Sequence, residues 1–192
     1  MALVNRDSLS VFVAAYLREQ IFLRRSCRPG DYIREMELSS ALGVSRGPVR
    51  DAIKKLESEG VLEASPWKGA QVVTLTDDDR QDIEELCALL EKRLTDIISK
   101  KGLSAAARTE LGALAEGMGQ CAASFDSEEA RERLGESEER FHDILFETAA
   151  HPWTEKALRK VYSQVRLARL GMSEQDSCAQ TARACAELLA QL

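Results

Sequence analysis

Glu35–Gly60 reads EMELSSALGVSRGPVRDAIKKLESEG, and this stretch decides the fold of the first part of the chain. Leu38, Ala41 and Leu42 recur at i, i+3 and i+4, one apolar face of a short helix. Gly43 ends that helix, since glycine takes φ > 0 without steric cost, and Val44 anchors the turn. Ser45 is a suitable N-cap. Pro48 falls in the first turn of a second helix, where its missing N–H removes no intrahelical bond. That helix starts near Arg46. Val49, Ala52, Ile53 and Leu56 form its apolar stripe, which leaves Arg46, Arg50, Lys54 and, at the margin, Lys55 to the solvent faces. Arginine near the start of such a helix can meet guanine edges bidentately, and lysine further along can meet phosphates.

Two helices joined by a glycine turn are common in all-α domains, so the residues that follow carry weight. Val61-Leu62-Glu63-Ala64, a turn at Ser65-Pro66-Trp67-Lys68-Gly69, and Gln71-Val72-Val73-Thr74-Leu75 read as a short hairpin, the wing of a winged helix. Lys68 and Gly69 are expected at its tip, where a cation and a bare backbone could approach a phosphate. Trp67 has two readings, a plug under the wing or a DNA contact.

The run RPGDYIREMELSSALGVSRGPVRDAIKKLESEGVLEASPWKGAQV resembles the DNA-binding domain of GntR-family bacterial transcription regulators, over roughly Ser8 to Leu75. PG, ELS, LGVSR, PVR, LESEG and KGA carry the likeness. The resemblance implies that Ser45, Arg46 and Arg50 are the groove and phosphate contacts of the recognition helix, with Lys68 and Gly69 at the wing. Arg34, Gly47 and Lys54 join them as candidate DNA contacts. The chain departs from the family pattern at Met36, where an arginine is frequent, and at Gly47, where threonine is frequent.

The chain has 192 residues, of which 44% are hydrophobic, enough for one or two compact domains with a buried core. No apolar run reaches membrane-spanning length, and Arg6 and Asp7 interrupt the N-terminus where a signal peptide needs an apolar stretch. A cytoplasmic, non-membrane protein is expected. Five cysteines, at 27, 87, 121, 178 and 185, form no CxxC pair and suggest buried thiols rather than a disulfide framework. The net charge of −6 is unevenly spread. Residues 1–75 hold 11 Lys/Arg against 9 Asp/Glu, net +2, and residues 76–192 hold 15 against 23, net −8. The sign reverses at the expected domain boundary, 1–75 against 76–192. So mild a positive charge requires a localised basic patch and two copies acting together on DNA.

Around this centre the rest of the chain reads as helix. Leu9, Phe12, Val13, Tyr16, Leu17 and Ile21 give a first helix over Ser8–Arg25, with Asp7 or Ser8 as cap. Arg24, Arg25 and Arg28 suit either its C-terminal dipole or a phosphate. Thr76 followed by three aspartates opens a long helix carrying Ile83, Leu86, Leu89, Leu90, Leu94, Ile97 and Ile98, closed by Gly102. Ser104 caps a helix through Leu111, Leu114 and Met118, and Asp126-Ser127 precede another with Phe141, Ile144 and Leu145, ended at His151-Pro152. Two more run from about Trp153 to Leu170 and from Ser173 to Gln191. The expected fold is mainly α: a winged helix-turn-helix followed by an all-helical antiparallel bundle.

Such a bundle behind a winged helix resembles the FadR-like branch of the GntR family, with its FCD-type C-terminal domain. DIEELCALLEKRL and ERFHDILFETAAHPWTEKALRKVY carry this likeness. It implies an effector pocket for a small acidic metabolite, with Glu138, His142, Cys87 and Arg166 as candidate residues, Cys87 replacing an arginine frequent there. It also implies a metal site of one aspartate and three histidines. Only Glu138 and His142, one helical turn apart, match that set, and a chain with two histidines cannot supply three. A metal-free, altered or truncated effector domain follows, His142 being read more readily as a hydrogen-bonded core residue than as a ligand.

The expected function is a ligand-responsive transcription regulator, a repressor, that binds a palindromic DNA operator as a homodimer. Two other classes compete: a winged helix serving protein contacts alone, and a small hydrolase using Glu138 and His142 as acid and base. No nucleophile motif or phosphate loop accompanies that pair, so an enzyme is not expected.

Overall fold

The structure is a computed structural model, and it describes residues 6–66, 69–124 and 128–192. The order of elements is α1 (Arg6–Arg18), a π-helical turn (Glu19–Leu23), β1 (Tyr32–Ile33), α2 (Glu35–Leu42), α3 (Arg46–Ser58), β2 (Leu62–Ser65), β3 (Gly69–Val72) and then α4 (Asp77–Lys101), α5 (Ala105–Ala123), α6 (Glu128–Ala149), α7 (Pro152–Arg169) and α8 (Glu174–Ala190). The chain forms two compact units, Met1–Ile83 with Lys160–Leu170, and Glu84–Arg159 with Gly171–Leu192.

The first unit is a winged helix. α1 and α2 each pack on α3, and Val13, Leu17, Ile21, Val49, Ile53 and Leu56 meet in a core that Leu62, Ala70 and Val72 close from the sheet side. Burying aliphatic side chains of this size contributes about 1.5–3 kcal/mol each, so this core is the main stabilising term. Leu38 and Leu42 of α2 pack against it half-buried, whereas Ala41, expected on the same face, is exposed. Phe12 likewise stays 52% exposed although its spacing placed it with the apolar face of α1. Asp7 and Ser8 lie inside the first turn of α1, which is described from Arg6. The expected helix to Arg25 gives way at Glu19 to a π turn, and Arg25 adopts φ +50.

A two-residue strand that periodicity did not indicate completes the wing. Tyr32 and Ile33 pair antiparallel with Gln71 and Ala70, so β3 is the central strand and the order is β1-β3-β2. Gly69 begins β3 with φ +96, and a Cβ there would stand 2.5 Å from the backbone oxygen of Ile33. Only glycine tolerates both that dihedral and that approach.

The Lys160–Leu170 segment, the second half of α7, supplies Leu167 to the winged-helix core, 3% exposed, and Leu170 packs beside it. Gln164 lies over the bare Cα of Gly60, its Nε2 2.9 Å from the place of a Cβ.

The second unit is helical throughout. α5 packs against α6 and α8, and α6 against α8, with Leu111, Met118, Phe141, Leu145 and Leu158 fully buried. The opening of α4, which belongs to the first unit, is fixed by a reciprocal cap. Thr76 N–H and Oγ1–H donate to Asp79 Oδ2 at 2.8 and 2.6 Å, and Asp79 N–H donates back to Thr76 Oγ1 at 3.1 Å. These bonds hold the Asp79 carboxyl below its ordinary value. Ser104 and Ser173 cap α5 and α8, each hydroxyl oxygen accepting from the backbone N–H three residues on, that of Ala107 and of Asp176. Asp126 and Ser127, expected to precede α6, lie outside the described residues. α6 ends at Ala149, Ala150 turns with φ +41, and Pro152 takes the first position of α7, where a missing N–H costs nothing. Along α4 the expected apolar stripe divides. Leu94, Ile97 and Ile98 are buried, but Leu86 and Leu89 are 46% and 70% exposed.

Candidate nucleic-acid interface

Gly43, at φ +65, turns the chain between α2 and α3, and α3 buries Pro48, Val49, Ala52, Ile53 and Leu56. That leaves Arg46, Arg50 and Lys54 exposed, at i, i+4 and i+8 along one flank of the helix. Ser45 occupies the N-cap position with an extended backbone, but its side chain makes no capping hydrogen bond. The capping role read from the sequence is therefore corrected. Its hydroxyl is exposed beside the exposed N-terminal turn, with Gly47 half-buried behind it.

A carboxylate stands among these cations. Arg50 Nη2–H donates to Glu35 Oε2 at 3.0 Å, and Arg50 Nε–H reaches Oε1 and Oε2 at 3.2 and 3.3 Å, joining the first residue of α2 to α3. The side chains are 56% and 31% exposed. Hydrogen bonding from Arg50 holds the Glu35 carboxyl below its ordinary value; partial burial opposes this, and the charges of Arg50, Arg46 and Lys54 add to it. Three candidate DNA contacts thus converge electrostatically on one acidic group. Periodicity could not reveal it, because fifteen residues separate the partners and only the glycine turn brings them together.

Arg34 precedes α2, exposed, and pairs with Glu37 at 2.8 Å. Gly69 is exposed at the start of β3, and its dihedral and the Ile33 carbonyl account for its identity. Lys68 and Trp67 lie outside the described residues.

The candidate effector residues distribute differently. Glu138 and His142 are both buried, each 8% exposed, one turn apart on α6. The His142 ring lies 5.9 Å from Phe141 edge-on and 6.4 Å from Phe146, and the Arg159 guanidinium covers the Phe146 ring at 4.7 Å. Cys87 is buried on α4 in the same unit, whereas Arg166 belongs to the α7 segment of the winged-helix unit. His151, the other imidazole, caps α7: Thr154 N–H donates to its Nδ1 at 3.3 Å and Thr154 Oγ1 lies 2.9 Å from the same atom. Among the described residues no group of three or more His, Cys, Asp or Glu could hold a metal ion. With one imidazole capping a helix and the other set between aromatic rings, the residues do not fit a three-histidine metal site.

Residues 9–72 match the model of the bacterial regulatory proteins of the gntR family. The chain is 24% identical over 154 residues to the HTH-type transcriptional regulator YdhC of Bacillus subtilis, covering 80% of this chain and 66% of that protein. It is 30% identical over 146 residues to the Nta operon transcriptional regulator of Aminobacter aminovorans, covering 74% of this chain and 65% of that one. The chain therefore spans just under two thirds of the length of these relatives. Among solved structures it is similar to McbR/YncC of E. coli, with TM-score 0.66, 20% identity and 96% and 94% of the two chains covered. A GntR transcriptional regulator of Rhodococcus sp. RHA1 is similar at the same TM-score, with 22% identity and 95% and 92% covered. Both share the fold, a winged helix with a helical C-terminal domain. Among the described residues no helix is long and apolar enough to cross a membrane. The likeness to the gntR family of bacterial regulatory proteins lies over the winged helix, residues 9–72.

Proposed function

We propose that the chain is a DNA-binding transcription regulator, a repressor, that binds an approximately palindromic operator as a homodimer. The observation that carries this reading is the exposed flank of α3, where Arg46, Arg50 and Lys54 stand together in water while the opposite face is buried. Arginines there can take guanine edges or phosphates, and Ser45, Gly47, Arg34, Gly69 and Lys68 complete the proposed contact set. Two such helices in a dimer would enter successive major grooves about 34–36 Å apart.

The second unit is the proposed effector domain, of the FCD type in the FadR-like branch. A small acidic metabolite would be received near Glu138, His142 and Cys87 without a metal, and would act by preferring one of two arrangements of the dimer.

Selection of bound fragments from a random DNA pool tests the reading. Enrichment of an inverted repeat, bound with strong salt dependence, is expected. A bound population with no shared sequence, or none at all, would point to a winged helix used for protein contacts. Organic acids that release the selected DNA then identify the effector class.

A further inference from the structure

Met36 is 60% exposed, the one large apolar side chain of α2 and α3 that stands in water among the described residues. Its two chain neighbours are each held by an arginine. Glu35 accepts from Arg50 of α3 at 3.0 Å, and Glu37 accepts from Arg34 at 2.8 Å. Leu38 and Leu42 turn α2 toward the core. With 3.6 residues per turn, Glu35 lies beside that apolar face, and Met36 lies about 100° further round in the same sense, away from the core. The Met36 side chain therefore leaves α2 on the side that borders the Arg50 flank of α3. Single exposed methionines are common on protein surfaces; this one is set apart by standing between two ion pairs on the surface that carries the proposed DNA contacts.

We propose that Met36 is a specificity-determining residue that packs on the C5 methyl of one thymine in each half-site of the operator, an inference that rests on the DNA-binding reading above. Phosphates are met by cations and hydrogen-bond donors, and a thioether is neither. What the major groove offers an apolar side chain is the thymine methyl, a feature that guanine, cytosine and adenine lack there. Methionine suits the contact, since three rotatable bonds and a polarizable sulfur let its tip settle against a small apolar target. The neighbouring cations have a different preference. Arg46 and Arg50 take guanine edges or phosphates, so Met36 adds a requirement that no arginine on this surface can impose. With Glu35 and Glu37 each engaged by an arginine, the two carboxylates beside Met36 are balanced where the duplex would approach.

Deoxyuridine in place of thymidine tests this, because it keeps the base pair and removes only the methyl. The full chain first selects its operator from a random DNA pool, and each thymine of that operator is then replaced in turn, in both half-sites. At one position the wild type is expected to lose about fourfold in affinity per methyl removed, the worth of one buried carbon. Met36→Ala should bind the thymine and uracil duplexes equally, and Met36→Leu should keep most of the wild-type preference. Each protein is compared with itself on two duplexes, so any loss of folded protein cancels. A wild type indifferent to uracil at every position, or a Met36→Ala that keeps the wild-type loss, overturns the thymine contact while the selected operator leaves the regulator reading standing. A chain that enriches no sequence removes both.

Discussion

Arg50 and Glu35 form a two-pronged ion pair across the glycine turn, with Nη2 and Nε of the guanidinium at 3.0 to 3.3 Å from the two carboxylate oxygens. The central cation of the exposed flank of α3 is thus oriented by an acidic neighbour. Arg50→Ala and Arg46→Ala should each weaken specific operator binding by about 1–3 kcal/mol while affinity for unrelated DNA falls less. Fluorescence anisotropy on operator and scrambled duplexes measures both, and equal losses on the two would remove the base-reading role.

Glu35→Gln keeps the shape of the pair and removes its negative charge. The charge of Arg50 is then no longer balanced, so affinity for unrelated DNA should rise and the slope of log K against log salt should steepen by up to about one unit. Discrimination between operator and scrambled DNA should fall, because Arg50 loses its fixed orientation. An unchanged salt slope would show that Arg50 meets no phosphate.

The same pair predicts a pH dependence. The folded-state value of Glu35 is depressed, so its contribution to stability is fully present above the ordinary glutamate value of 4.5 and is lost as pH falls through the lower folded value. Urea unfolding of wild type and Glu35→Gln should therefore differ by a constant amount near neutrality, and the difference should close in acid. A gap that widens on acidification would have the wrong sign for this pair.

Leu167→Ala should destabilise the winged helix by about 2–5 kcal/mol, the range for a leucine removed from a packed core. A fragment ending at residue 75 lacks both Leu167 and Leu170 and should unfold at lower urea concentration than the same unit in the full chain. Tryptophan-independent probes such as hydrogen exchange on α3 amides would report this, and equal protection in fragment and full chain would contradict it.

Gly69→Ala should cost about 1–3 kcal/mol, since the new methyl would meet the Ile33 carbonyl and the residue must still hold φ +96. Tyr32 and Ile33 amides should lose exchange protection first, because β1 is the strand displaced.

The helix-turn-helix and the mainly helical remainder were legible because each rests on local order: apolar spacing on α3, a glycine stop at Gly43, the threonine–aspartate opening of α4. What escaped reading depends on distant partners. β1 exists only through Gln71 and Ala70, some forty residues away, and two residues carry no period of their own. The Glu35–Arg50 pair is set by a turn, not a spacing. Ser45 has the right residue and backbone for a cap yet makes no capping bond, and Leu86 and Leu89 keep the helical period while facing away from the core. Composition and period record which residues are apolar, not which surface covers them. The α7 segment was hidden for the same reason: one amphipathic helix gave no sign that its second half packs with residues more than a hundred positions earlier.

That distant packing bears on how the protein comes into being. An emerging chain has translated α1, the helix-turn-helix and the wing long before Leu167 leaves the ribosome, so a gap in the first core to form must stay open while α4, α5 and α6 are made. The winged helix is begun with α1 and finished only once the second half of α7 has followed.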